Sequence, residues 1–141
     1  MKRLIILCSL ALLFLSGCGT SADGIPEGLS WRAQTLQSQK DGTILACAED
    51  WSSEQAVPLL DVTAQVEAGA VTLTDHTTQE IYSGSLTPME DAGPGIYTLA
   101  FPDVPEGYGV YGVTEYADGS RDATLYLTVE KRTLCLTAPL S

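Results

Sequence analysis

From Ser30 onward, apolar and polar residues alternate in short runs separated by turn-forming residues. A first strand is expected over 31–36. Lys40-Asp41-Gly42 carries the Asp-Gly hairpin signal, which returns the chain into 43–47. A polar, acidic connection over 48–56 leads to an apolar strand at 57–66, with Pro58 near its entry, where proline is tolerated. Glu67-Ala68-Gly69 turns into 70–74, and 79–86 follows before a breaker-rich loop at 88–95. In 96–101, Tyr97, Leu99 and Phe101 share one face. After a loop at 102–107, the strand at 108–116 contains Gly109 and Gly112, which suggest a bulge or a close backbone approach. Asp118-Gly119 turns into 123–130, where Ala123, Leu125, Leu127 and Val129 share one face, and 133–137 ends the domain. No segment beyond the N-terminal apolar run keeps a helical period over a helix's length. Short strands at such regular spacing predict an all-β sandwich or barrel.

The N-terminus follows a different pattern. Lys2 and Arg3 precede an almost unbroken apolar run over 4–15, closed by Leu15-Ser16-Gly17-Cys18. Those are the three parts of a secretory signal. The run falls short of the ~20 apolar residues of a membrane span, and no basic stop-transfer cluster follows it. The closing tetrapeptide resembles the lipobox of bacterial lipoproteins at all four positions. The resemblance implies cleavage before Cys18, which becomes the mature N-terminus, and a diacylglycerol on its thiol, with palmitate among the expected fatty acids. The expected organisation is a signal peptide over 1–17, a lipidated Cys18 with a flexible tether over 18–29, and one folded domain over 30–141. Gly19, Gly24, Pro26 and Gly28 give the tether its lack of periodicity. A coil of that length averages about 17–20 Å end to end, so the domain is expected close over the bilayer, on the extracytoplasmic face of the cell membrane.

Charge narrows the partners. The precursor carries 7 Lys and Arg against 18 Asp and Glu, a net −11, and loss of Lys2 and Arg3 makes the mature chain more acidic still. Such a surface repels nucleic acid and anionic headgroups and favours a cationic protein or peptide. Of four cysteines, Cys8 leaves with the signal and Cys18 takes lipid. Cys47 and Cys135 remain, an even pair in a compartment where disulfides persist. A bridge between them would contribute up to about 4.5 kcal/mol by constraining the unfolded chain; two buried free thiols are the alternative.

The stretch Ala68-Gly69-Ala70-Val71-Thr72-Leu73, then Gly95-Ile96-Tyr97-Thr98-Leu99, then Val104-Pro105-Glu106-Gly107-Tyr108 resembles the prealbumin-like repeats of bacterial surface proteins. Collagen-adhesin B-type modules and carboxypeptidase-regulatory-like modules belong to that group. The resemblance covers structural positions over about 40 residues and implies a single antiparallel β-sandwich, prealbumin-like or Ig-like, of about seven to nine strands. Many B-type modules carry a Lys–Asn isopeptide bond, but this sequence contains no asparagine. A Cys47–Cys135 bridge would be the covalent tie in its place.

Catalytic chemistry finds little footing. His76 is the single histidine, and Asp75 beside it suggests a triad, but neighbours on a turn point apart and no Gly-x-Ser-x-Gly elbow is present. Glu49, Asp50 and Glu54, or Asp118 with Asp122, could hold calcium, yet neither set matches the Asp-x-Asp-x-Asp-Gly loop. The reading is non-enzymatic, with no cofactor and no metal. If consecutive strands run antiparallel, the 49–55 loop, the 75–78 turn and the 102–107 loop fall at one end of the fold. That end would gather Glu49, Asp50, Glu54, Asp75, Asp103 and Glu106 around Trp51 and His76, the candidate binding face for a cationic partner. The functional expectation is a membrane-anchored lipoprotein acting as a non-catalytic binding or structural module at the bacterial surface. The alternative is an inhibitor or immunity-type lipoprotein that neutralises a cationic envelope-active enzyme.

Overall fold

The structure, a computed structural model, describes residues 24–42, 44–46 and 60–140. The signal region with Cys18, and the stretch holding Cys47, Glu49, Asp50, Trp51 and Glu54, lie outside the described residues. The described chain is all-β. Its nine strands are β1 (Trp31–Ser38), β2 (Ile44–Ala46), β3 (Val62–Glu67), β4 (Ala70–Asp75), β5 (Glu80–Pro88), β6 (Ile96–Ala100), β7 (Gly107–Glu115), β8 (Arg121–Val129) and β9 (Arg132–Leu140). One 3-10 turn, Glu90–Ala92, sits between β5 and β6.

All pairings are antiparallel, and from β3 to β9 each strand pairs with the next in sequence. β9 then pairs with β1 over six positions, from Arg32↔Thr137 to Ser38↔Arg132, and β1 pairs with β3 at Trp31↔Ala64 and Arg32↔Thr63. The sheet is therefore closed on itself, an eight-stranded barrel with β2 as an extra strand on β1. This corrects the sandwich expectation. A two-residue period with one apolar face serves a sandwich and a barrel equally; only the distant β1–β9 pairing distinguishes them.

Inward positions fill the far end and middle of the barrel. Trp31, Ala33, Val71, Leu99, Leu125 and Leu136 are buried with at most 1% exposure, and no charged or polar residue is buried among those described. Burial of each large apolar side chain contributes about 1.5–3 kcal/mol. Inward glycines set how tightly the wall can curl. The Phe101 ring lies where a Cβ on Gly84 would be, at 2.6 Å, and Leu86 Cδ2 lies 2.9 Å from the Cβ position of Gly109. Gly109 thus answers to the close approach expected of it. Gly112 does not: nothing lies within 4 Å of its Cβ position, and the β7–β8 register runs through it without a bulge. The irregularity is on β1, where register shifts between Ala33 and Thr35 and Gln34 donates to Thr137 Oγ1 at 2.9 Å.

Two further differences concern the ends of elements. Ile25 and Leu29, expected in the tether, pack against the core, and Glu27 Oε1 accepts a hydrogen bond from the Ala68 amide at 3.0 Å. The β8–β9 connection is a two-residue turn with Glu130 at φ 47° and Lys131 at φ 65°. Neither residue carries the Asn, Asp or Gly signal usual for that left-handed conformation.

Candidate functional site: the barrel mouth

Up-and-down connectivity sends alternate turns to opposite ends. One end receives the turns 39–42, 76–79, 101–106 and 130–131, and the other receives 68–69, 89–95 and 116–120. At the first end the barrel wall parts. β1 pairs with β3 only at its first two residues, and farther along the same flank it pairs with β2 through Thr35↔Ala46, Leu36↔Leu45 and Gln37↔Ile44.

A cavity of about 370 Å³ opens there. Its floor and walls are inward residues from the mouth ends of the strands: Leu36, Val62, Leu73, Leu99, Phe101, Leu127, Val129 and Leu134. The inward row becomes polar at the lip. On β4 it passes from Leu73 to Asp75, and on β9 it begins with Arg132 before Leu134; Tyr82 of β5 pairs with Leu73 and also lines the cavity. Asp61, Thr77 and Thr78 complete the polar lining. An apolar interior with a few polar groups at its entrance holds a small molecule by burying its body and orienting its head.

The lip is organised by local hydrogen bonds. Asp75 Oδ1 accepts the amide N–H groups of Thr77 at 2.9 Å and Thr78 at 3.3 Å, which folds the 76–79 turn. The Tyr82 hydroxyl donates to Glu80 Oε2. That bond to a carboxylate, with smaller contributions from desolvation and from the charges of Glu80 and Asp75, holds the phenol above its ordinary pKa. His76 engages Thr63, its Nε2 lying 2.8 Å from Thr63 Oγ1, and its amide donates to the Asp61 carbonyl at 2.8 Å. Asp75 and His76 thus turn to different partners.

No family model, curated protein or solved structure matches this chain.

The residues expected at the binding face divide accordingly. Asp75, His76, Asp103 and Glu106 come together at the mouth end, as antiparallel alternation requires. Trp51, Glu49, Asp50 and Glu54 lie outside the described residues. Of the four that are described, Asp75 alone lines the cavity. Its other lining residues were missed because on seven strands they look like ordinary core. The available signal was the change from apolar to Asp75, Tyr82 and Arg132 along otherwise apolar rows.

At the far end, Asp118 Oδ1 accepts from the Ser120 amide at 2.9 Å and the Ser120 hydroxyl at 2.6 Å. These bonds lower the Asp118 pKa, the hydroxyl contributing most. Asp122 accepts from the Tyr116 hydroxyl at 3.0 Å. Among the described residues, no group of three His, Cys, Asp or Glu side chains could hold a metal.

Cys135 carries a free thiol, and Cys47, the other half of the expected bridge, lies outside the described residues. Thr35 of β1 pairs with Cys135 on one flank. On the other flank Cys135 pairs with Tyr126, and partial burial raises its thiol pKa against the lowering effect of a hydrogen bond from Tyr126.

Proposed function

We propose that this chain is a lipid-anchored, extracytoplasmic binding protein whose barrel mouth takes up a small molecule with a substantial apolar part. The observation that carries the reading is the apolar cavity at the parted end of the barrel, with its polar lip. Eight strands leave an interior that is either filled by side chains or able to hold one small ligand. Here, among the described residues, side chains fill the far end and middle and leave a cavity at the mouth. The anchor rests on the lipobox-like Leu15-Ser16-Gly17-Cys18. Two acyl chains on Cys18 would hold the protein stably at the membrane where one would not. Cys18→Ala is expected to abolish incorporation of labelled fatty acid, and continued labelling would contradict the anchor.

The binding reading is tested with N-phenyl-1-naphthylamine, a neutral apolar fluorophore, added to the full chain in lipid nanodiscs with protein-free nanodiscs as the blank. Saturable fluorescence enhancement is expected. Leu73→Trp, at a half-buried position lining the mouth, should occupy the space and reduce uptake at least tenfold while the melting temperature stays within a few degrees. No saturable uptake, or equal uptake by a folded Leu73→Trp variant, would contradict the reading.

A further inference from the structure

Charge is distributed unevenly around the mouth. On one arc, β3 to β5 bring up Asp61, Asp75 and Glu80; across the barrel, the β8–β9 and β1–β2 turns bring up Lys131, Arg132 and Lys40. Those two turns adjoin, the Gln39 amide donating to the Lys131 carbonyl at 2.9 Å. The chain has only 7 Lys and Arg against 18 Asp and Glu. Three of its few cations beside one cavity therefore run against the composition. Asp41 and Glu130 belong to the same two turns, and of the charged residues there Arg132 alone lines the cavity.

On the acidic arc, two of the three carboxylates, those of Asp75 and Glu80, are already engaged. Asp75 is engaged by two amides of its own turn, and Glu80 accepts the Tyr82 hydroxyl. The side chain of Arg132, the one basic residue lining the cavity, makes no hydrogen bond or ion pair with the side chain of another described residue. Directly below it the wall is apolar: Val129 pairs with Arg132, and Leu127 pairs with Leu134, the next inward residue on β9.

We propose that the mouth takes a single-chain anionic amphiphile, with its carboxylate on the Arg132 guanidinium and its hydrocarbon against Leu134, Leu127 and Val129. The guanidinium fork matches a carboxylate through two parallel hydrogen bonds, which a lysine cannot reproduce. A cavity of about 370 Å³ lies near the small end of the roughly 300–1,000 Å³ range of ligand pockets, and so suits one chain rather than two. The proposal rests on the ligand-binding reading above.

Its test is displacement of N-phenyl-1-naphthylamine from the full chain by dodecanoate and by dodecyltrimethylammonium, each below its micellar concentration. These amphiphiles share a twelve-carbon chain but carry opposite charges. Dodecanoate is expected to displace the fluorophore at about tenfold lower concentration, despite the acidic protein. Arg132→Gln should remove that advantage, read for each protein as the ratio of the two displacement constants at its own fluorophore affinity. Arg132→Lys should keep only part of it. Arg132 is exposed, and an unchanged melting temperature will show that each variant is folded. Equal displacement by the two amphiphiles, or a dodecanoate preference that survives Arg132→Gln, would overturn the anionic ligand while fluorophore uptake still supports the cavity. Failure of fluorophore uptake itself would overturn the reading beneath it.

Discussion

Trp31→Ala is expected to lose about 3–5 kcal/mol of unfolding free energy, a large part of what a domain of this size possesses. Trp31 opens β1 and points inward, with 1% of its surface exposed. Its ring meets Tyr111 edge to face, with centroids 6.5 Å apart and planes at 76°. Ala64 is its cross-strand partner, and Ala33, Ala123 and Ala138 are the buried inward residues nearby on β1, β8 and β9. Small residues there leave room for the indole, so its removal leaves a void that rigid strands cannot collapse. The indole has one liability. Its Nε1–H is buried without a hydrogen-bond partner among the described residues, and an unsatisfied donor costs about 1–3 kcal/mol. Trp31→Phe removes that donor while keeping an aromatic body, and should therefore cost less than half of what Trp31→Ala costs. Urea unfolding of the three proteins measures both differences. A Trp31→Ala variant within about 1 kcal/mol of the parent would show that this residue does not fill the barrel.

Gly107→Ala and Gly112→Ala should move stability in opposite directions, although both glycines lie on β7. A Cβ on Gly107 would sit 2.0 Å from the Thr128 carbonyl oxygen and 3.0 Å from Val129 Cγ2. The clash is with backbone, so β8 must shift, and with it the Tyr108↔Thr128 pairing at the mouth. Overpacking of this kind costs typically about 1–3 kcal/mol and occasionally more. Nothing lies near the Cβ position of Gly112, and its φ is not in the left-handed region. An alanine there should restrict the unfolded chain and stabilise by about 0.4–1 kcal/mol. Denaturant midpoints separate the two. A neutral Gly107→Ala would mean that β7 and β8 do not approach as closely at the mouth as the closed barrel requires.

Much of the fold was legible in the alternation of the chain, because one buried face forces a two-residue period. The strands expected at 31–36, 70–74, 79–86, 96–101, 108–116 and 123–130 appear with small changes at their ends. The Ala68-Gly69 and Asp118-Gly119 turns were signalled by glycines, which adopt φ 78° and 86°. The Glu130-Lys131 turn was not signalled, since neither residue type favours the conformation it takes. The closure of the barrel was also hidden. It depends on β1 meeting β9, about a hundred residues apart, and no local pattern distinguishes that from two packed sheets. For the site, the gathering of Asp75, His76, Asp103 and Glu106 at one end followed from antiparallel order alone. The cavity did not, because Leu36, Leu73, Leu99 and Leu134 have the same character as residues that pack solidly elsewhere. Whether inward leucines meet each other or surround a space depends on the spacing of distant strands.

The most direct measurement is the methyl NMR spectrum of the full chain in nanodiscs, recorded as N-phenyl-1-naphthylamine is added. The mouth is lined by Leu36, Leu73, Leu99, Leu127 and Leu134, while Val66, Ala123 and Ala138 report on the filled far end. Binding in the mouth predicts saturable shifts in the first group, with the second group unmoved. Shifts centred on Val66, Ala123 and Ala138, or spectra unchanged at saturating fluorophore, would contradict a ligand-binding mouth.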